Sequence, residues 1–343
     1  MVGIRHRGEK IRQFILDNIE HHPVDLVKIT SHAFDISRQA VNKHIKRLVE
    51  QKAVIVKGTT RSRHYILHPL AEWDHIFQLD KTLSEDMVWR NHISPLLGEL
   101  PDNVIDIWHY GFTEIFNNAI DHSSGKHVNV SLRKTATVSE IVVYDDGEGI
   151  FKKIQKELNL DDERHSVLEL AKGKLTTDPE NHTGEGIFFS SRMFDDFRIL
   201  SGNVYFSHTH HEVEDWIIEH QRFQSGTGVF MKLSNITPRT SKQIFDSFTS
   251  DDDYGFTKTV VPVRLAQYGD DKLVSRSQAK RLLARIDKFK TVIFDFDDVE
   301  SIGQSFADEV FRVFANQHPG MELIHLNANK VVRRMIVRAL NRE

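Results

Sequence analysis

The sequence contains no cysteine. Disulfide frameworks, thiolate nucleophiles, zinc ribbons and cysteine-ligated iron–sulfur clusters are therefore excluded, and a redox role is disfavoured, although 20 histidines leave other metal sites open. No stretch approaches the roughly 20 apolar residues needed to cross a bilayer. Met1 to Lys10 (MVGIRHRGEK) lacks the apolar run of a secretory signal, so the expectation is a cytoplasmic protein with no membrane contact. No GxxxxGK followed by Ser or Thr occurs, which excludes a lysine held in a P-loop phosphate cradle. The 343 residues exceed the usual domain of about 100–150, so several hydrophobic cores are expected.

The chain also has little net charge, −4, but the charge is segregated. Residues 1–70 carry 13 Lys+Arg against 6 Asp+Glu, a net of +7, which leaves −11 for residues 71–343. A compact basic module on an acidic body suits nucleic-acid contact, because neutralising phosphates needs local positive charge.

Within that basic module, Ile11, Phe14, Ile15 and Ile19 recur at helical spacing, and Pro23 opens a second short helix through Leu26, Val27 and Ile29. Asp35 and Ser37 offer caps for a third helix, SRQAVNKHIKRLVEQK, with an apolar stripe of Ala40, Val41, Ile45, Leu48 and Val49. Its other face carries Arg38, Gln39, Asn42, Lys43 and Lys46, side chains able to reach base edges and phosphates. Two short apolar runs, Ala53–Val56 and Tyr65–Leu67, flank a turn with Gly58, Arg61 and Arg63, which reads as a β-hairpin. This order resembles the winged helix-turn-helix family over residues 4–68. The resemblance implies DNA contact through the third helix, with Arg61 and Arg63 at the wing; a protein–protein adaptor is the alternative.

Residues 71–100 read as a helical connector or dimer contact, with Ser84 a candidate cap. In the next helix Val104, Ile107, Trp108, Phe112, Ile115, Ala119 and Ile120 form a core face, while Glu114, Asn118 and Asp121 or His122 share a polar stripe. A carboxylate and an amide beside a bound Mg²⁺ suit phosphoryl chemistry. A strand-like EIVVY then ends in DDGEGI, HTGEGIFFSSRMF sets Gly184 and Gly186 before a helix, and SGTGVFMKL leads into a strand. Glycines at such places let backbone approach a ligand, and a helix start faces anions. Each piece alone is an ordinary turn; their joint order is the signal.

ExxxNAxxH at 114–122, DxGxG at 145–149, TGxG at 183–186 and GT at 226–227 resemble the N, G1, G2 and G3 boxes of the GHKL ATPase superfamily, over roughly residues 84–236. That group includes the ATPase domains of DNA gyrase, a heat-shock chaperone, mismatch-repair proteins and histidine kinases. The resemblance implies that Glu114 polarises water or another nucleophile, Asn118 ligates Mg²⁺ and Asp145 accepts from the adenine amino group. It further implies that Gly147 and Gly149 admit the base, Thr183, Gly184 and Gly186 hold phosphates, and Thr227 supports Asp145. Lys172 and Lys174, in the lid implied over 151–183, become candidates to reach phosphates. The wording FTEIFNNAIDHS, with no histidine-bearing hairpin before it, is closer to the anti-sigma-factor serine kinases than to two-component sensors. His109 is read as a packed or surface histidine, and His208, His210 and His211 as an exposed hairpin in preference to a metal site.

After Asp251–Asp253, strand and helix alternate in a βαβαβα order through residue 340, which argues for a small, mostly parallel α/β domain. FDFDDVESIGQSFADEV resembles the STAS domains of anti-sigma-factor antagonists, reading GQSF where those proteins commonly have DSSG. Ser305 falls on their phosphorylatable serine. With Asp308 it also makes an S-x-x-D capping box, the reading favoured here.

The expected fold is multidomain α+β: a winged helix-turn-helix (1–70), a helical connector (71–100), a GHKL (Bergerat) α/β sandwich (101–250) and a STAS-like α/β domain (251–343). The expected function is an MgATP-binding, slowly hydrolysing ATPase acting as a nucleotide-gated DNA-binding regulator. A serine/threonine kinase acting on a STAS-like domain, with Ser305 or a partner as acceptor, and a non-enzymatic ATP-sensing scaffold are the alternatives. A protein partner for the C-terminal domain and a homodimer are expected by analogy.

Overall fold

The computed structural model describes residues 2–59, 63–175, 184–209, 212–219, 225–250, 253–267 and 272–341. Arg61, Thr183, His210 and His211 lie outside them.

The chain opens with α1 (Val2–Asn18), α2 (Leu26–Phe34) and α3 (Arg38–Glu50), followed by the antiparallel pair β1 (Val54–Lys57) and β2 (His64–Leu67). Ser37 caps α3 by accepting from the Ala40 N–H at 3.2 Å. Ile11, Ile15, Ile19, Leu26, Val41, Ile45, Leu48, Tyr65 and Leu67 bury together, so this module has its own core. It meets the rest of the chain through Ala136, which packs against that core, and through polar groups. Lys232 Nζ bridges Glu20 Oε2 at 3.0 Å and Glu140 Oε1 at 3.6 Å.

The middle of the chain builds one antiparallel seven-stranded sheet. Its strands are β3 (Ala71–Gln78), β4 (His127–Lys134), β5 (Val138–Asp145), β6 (Asp196–Ser201), β7 (Val204–Thr209), β8 (Glu212–Glu219) and β9 (Thr227–Ser234), in the order β3-β4-β5-β9-β6-β7-β8. β4, β5 and β9 alternate buried and half-buried residues, as a sheet with one covered face should.

Between β3 and β4 come α4 (Glu85–Val88), a π-helical turn over Trp89–Ile93, α5 (Ser94–Leu97) and the long α6 (Asp102–His122). α7 (Ile150–Leu158), α8 (Glu163–Lys172) and α9 (Gly186–Met193) complete the helical layer. Gly111 lets α6 and α9 approach closely, because a Cβ there would overlap the Phe194 ring.

The expected helical connector is corrected at its start: residues 71–78 are an edge strand paired along its length with β4. Trp73, His75 and Phe77 stack on one side with His92, while Ile76, 60% exposed, points to the other. An apolar residue on the solvent side breaks the alternation that would have announced a strand.

α10 (Ser241–Ser247) and the short pair β10 (Thr249–Ser250) and β11 (Asp253–Phe256) lead into the last unit. There β12 (Lys258–Pro262), β13 (Thr291–Asp295) and β14 (Glu322–Leu326) form a parallel sheet in that order. α11 (Arg276–Leu283) lies between β12 and β13. α12 (Gln304–Asp308), a π-helical turn over Glu309–Phe314, and α13 (Ala315–Gln317) connect β13 to β14, and α14 (Lys330–Leu340) follows β14. Mixed α/β architecture with several sheets agrees with the expected multidomain α+β class. One hydrophobic cluster, however, runs without a break from α6 through Phe188, Phe189 and Phe256 to Phe289 and β13. The middle and last units therefore share a core.

The Ser305 cap is corrected. Gly303 occupies the N-cap of α12 and no side chain caps that helix. Asp308 instead accepts from Gln304 Nε2 at 2.7 Å, and Ser305 is exposed in the first turn. No described helix is long and apolar enough to cross a membrane.

Candidate functional site

A cleft of about 290 Å³ opens between α6, β5, β9, α7, the end of α8 and the start of α9; Gly147 and Gly149 stand behind Asp145 and do not line it. That is near the lower end of ligand pockets, which run from about 300 to 1,000 Å³. Glu114, Asn118, Ala119, His122 and Ser123 line it from α6 and its end; Val143, Asp145, Thr227 and Val229 form its floor on β5 and β9. Ile115, Ile150, Lys153, Ile154, Leu170, Leu175, Gly184, Gly186, Ile187 and Phe188 supply the rest. The separated sequence motifs thus converge on one cavity.

The floor is built around Asp145, 6% exposed. Burial pushes its carboxyl up to about 6, against the opposing pull of the Gly147 and Thr227 N–H groups. Its Oδ1 accepts from the Gly147 N–H at 2.9 Å. Gly147 presses against the Ser123 carbonyl so closely that a Cβ would overlap it, and Glu148 N–H donates to that same carbonyl at 3.0 Å. Gly149 has φ +93° and Gly226 φ +85°, and each faces a neighbour that a Cβ would strike, Ser201 Oγ and the Asp145 carbonyl respectively. Thr227 Oγ1 accepts from the Ile150 N–H at 2.9 Å, tying β9 to the start of α7.

The following carboxylate, Asp146, plays a different part. It accepts from the N–H groups of Lys126 at 2.6 Å and His127 at 2.9 Å and from the His127 ring. These hydrogen bonds, chiefly that of the His127 backbone, hold its carboxyl down at about 2. Two adjacent aspartates therefore titrate far apart, one buried in a cleft and one pinning a turn.

At the far end Glu114 abuts Gly186, the first residue of α9; a Cβ on 186 would overlap Glu114 Oε2. Glu185, the N-cap of α9, makes no capping bond with its side chain. Its carboxyl is raised by burial, with Lys174 opposing. The Tyr110 hydroxyl is raised by burial and by the nearby charges of Glu114 and Glu185.

Of the expected phosphate-reaching lysines, neither lines the cleft. Lys172 is buried in an ion pair with Glu169 at 2.8 Å, and Lys174 Nζ donates to the Lys288 carbonyl at 3.3 Å beside the Phe256 and Phe289 rings. Lys153, which the sequence motifs do not single out, does line it, and donates to the His122 carbonyl at 2.9 Å. Its signal is weak: a lysine one turn into the helix that follows DDGEG. Ser123 is equally silent, since it acts through its carbonyl. His109 is exposed and packs on Trp89 with ring centroids 5.0 Å apart. Among the described residues no group of three or more His, Asp and Glu is placed to hold a metal.

Arg38, Gln39, Asn42, Lys43 and Lys46 are all exposed on one side of α3, Lys46 pairing loosely with Glu50 at 3.8 Å, and Arg63 is exposed before β2.

Comparison with known families decides the class of the middle unit. Residues 89–205 match the model of the histidine kinase-like ATPase domain. This segment is a histidine kinase-like ATPase domain. Residues 278–333 match a STAS-like domain of unknown function (DUF4325). No curated protein matches the chain. For the ATPase domain the match points to ATP binding and kinase-like ATPase activity. The cleft is chemically suited to an adenine nucleotide: a buried carboxylate among apolar walls at one end, and uncapped helix N–H groups at the other. Mg²⁺ keeps several waters and takes only one or two protein oxygens, a demand that Asn118, with phosphate oxygens, could meet.

Proposed function

We propose that this cleft binds MgATP and that the ATPase domain acts as a nucleotide-gated regulator of DNA binding. One observation carries the nucleotide reading: Asp145 and Glu114 stand at opposite ends of a single cleft, the first buried on its floor, the second against the start of α9. Asp145 accepts from the adenine amino group while Gly147 and Gly149 admit the base edge. Thr227 keeps the turn of Asp145 against α7. Gly184, Gly186 and the first N–H groups of α9 receive the phosphates, with Thr183 beside them in sequence. Asn118 would hold the magnesium ion, which supplies charge neutralisation on the phosphates. Glu114 orients water or a hydroxyl and takes its proton.

In this reading residues 1–70 are a winged helix-turn-helix that presents Arg38, Gln39, Asn42, Lys43 and Lys46 to DNA, with Arg61 and Arg63 at the wing. The support is the exposure of the α3 side chains on one face and the +7 charge of the module. Nucleotide binding shifts DNA affinity only by its differential affinity for the two states, and about 3 kcal/mol suffices for a hundredfold change. DNA affinity measured with and without ATP should differ in the wild type and not in Asp145→Ala; equal affinities in the wild type would remove the regulator.

A second reading is a serine/threonine kinase. It is favoured by the exposure of Ser305 in the first turn of a helix whose cap is another residue. Incubation with γ-labelled ATP should label the protein, and Ser305→Ala should stay unlabelled; a label that persists in Ser305→Ala rejects this acceptor. A scaffold that only senses ATP would survive Glu114→Ala and fail with Asp145→Ala.

A further inference from the structure

α8 has two jobs. On one side Leu170, and just beyond the helix Leu175, line the nucleotide cleft. On the other side the same helix end is gripped by the STAS-like unit. Lys172 is the centre of that grip, with a side chain 2% exposed. Its ammonium points three ways: to Glu169 Oε1 at 2.8 Å, to the Ala284 carbonyl at 2.9 Å and to the Arg281 carbonyl at 3.1 Å. Those three acceptors use every hydrogen a lysine ammonium carries. The two carbonyls belong to the end of α11, where the helix dipole favours a cation; that of Arg281 also accepts from the Ala284 N–H at 3.3 Å.

The surrounding contacts repeat the pattern. The other oxygen of Glu169 meets Arg285 Nη1 at 3.3 Å. Thr259, on β12, donates from Oγ1 to the Lys172 carbonyl at 2.6 Å. Arg281 Nη1 lies 2.6 Å from His165 Nε2, near the start of α8. The chain then turns through two residues with positive φ, Gly173 (+80°) and Lys174 (+52°). Gly173 has no room for a Cβ, which would stand 2.7 Å from the Phe256 ring and 2.8 Å from Phe188. Lys174 and Lys288 each donate their ammonium to the other's carbonyl, at 3.3 and 3.2 Å. Immediately after, the Leu175 N–H donates to the Gly184 carbonyl at 3.1 Å, which joins this turn to the start of α9.

The geometry points to Lys172 as a positioning residue for the nucleotide site, through which α11 of the STAS-like unit and the cleft wall formed by α8 move as one body. This rests on the cleft binding ATP, and it adds that the STAS-like unit is part of the site and feels its occupancy. A buried lysine is retained at a cost in desolvation, and an apolar helix contact would have packed the two units without it. What the charge adds is direction: it fixes the end of α8 against the end of α11 and no other register.

Full-length protein tests this by hydrogen exchange at the amides of residues 280–288, with and without ATP, beside calorimetry on the same samples. In the wild type, ATP should slow exchange there. Lys172→Met should abolish that response and weaken ATP binding by about tenfold, within the usual range for coupled sites. Thr259→Val, which lies in the STAS-like unit and away from the cleft, should reduce the response in the same direction and keeps the test open if Lys172→Met does not fold. Unchanged exchange in a wild-type sample that calorimetry shows to bind ATP overturns the coupling and leaves the nucleotide reading standing. Absence of ATP binding by the wild type overturns both.

Discussion

The carboxylate of Glu114, in the middle of α6, rests directly on the backbone of Gly186, the first residue of α9, with no room for a methyl group between them. An acidic side chain at a helix start is favoured by the helix dipole, and here it also sets where the carboxylate stands relative to the α9 N–H groups. Gly186→Ala should push that carboxylate aside. Misplacing a reacting group by about 1 Å can cost on the order of a hundredfold in rate. Phosphate release should therefore fall by about that factor, while calorimetry shows ATP affinity changed far less. Equal losses in both would mean that the glycine serves phosphate binding and not Glu114.

Asp145 predicts opposite pH responses for binding and stability. With its carboxyl raised to about 6, it loses its acceptor role as pH falls below that value, so ATP affinity should drop by up to about tenfold per pH unit between 6 and 5. For the unliganded protein the sign reverses. Between roughly pH 4, the unfolded aspartate value, and pH 6, the native state binds the extra proton, so this group's contribution to stability falls as pH rises through that window. Asp145→Asn should flatten both profiles; calorimetry from about pH 5 to 7.5 and thermal melts from about pH 4 to 7.5 would show it.

Gly147→Ala should destabilise the protein by about 1–3 kcal/mol, because the new methyl meets the Ser123 carbonyl, a backbone group that cannot rotate away. Gly320→Ala is the matched control, since nothing lies within 4 Å of its Cβ position. Denaturant melts of the two variants should differ by at least the lower of those values.

Paired substitution of Arg38 and Lys43 by alanine should weaken DNA binding across sequences. It should also reduce the slope of log affinity against log salt by about one for each DNA phosphate that is no longer neutralised. A slope unchanged within error would assign the exposed face of α3 to a protein partner.

Much of this is legible in the chain itself. The strand–helix alternation of the last unit is legible, and α14, which closes it, buries Val332, Ile336 and Ala339 at helical spacing. β3 is not legible: it sits at an edge, carries Glu72, Asp74 and an exposed Ile76, and draws its stability from eight register pairs with β4. Ser305 has the sequence of a cap, yet the helix begins at Gln304 with Gly303 as its N-cap, two residues too early, and the capping geometry never forms. Lys172 reads as a lysine free to reach phosphates, because lysines are rarely buried; nothing local announces that Glu169 and two carbonyls more than 100 residues away will enclose it.

By itself the sequence determined the things that depend on neighbours along the chain. These are the helical stripe carrying Glu114 and Asn118, the glycines where backbone must turn or approach, the strand–helix alternation of the last unit and the basic charge of the first. Tertiary structure alone decided what depends on groups remote in sequence. Asp145 became a buried acid while Asp146, beside it, became a turn lock. Lys172 left the phosphates for α11, and two units expected to be separate came to share one core. Burial and hydrogen-bond partners are properties of position in space, so no local pattern encodes them.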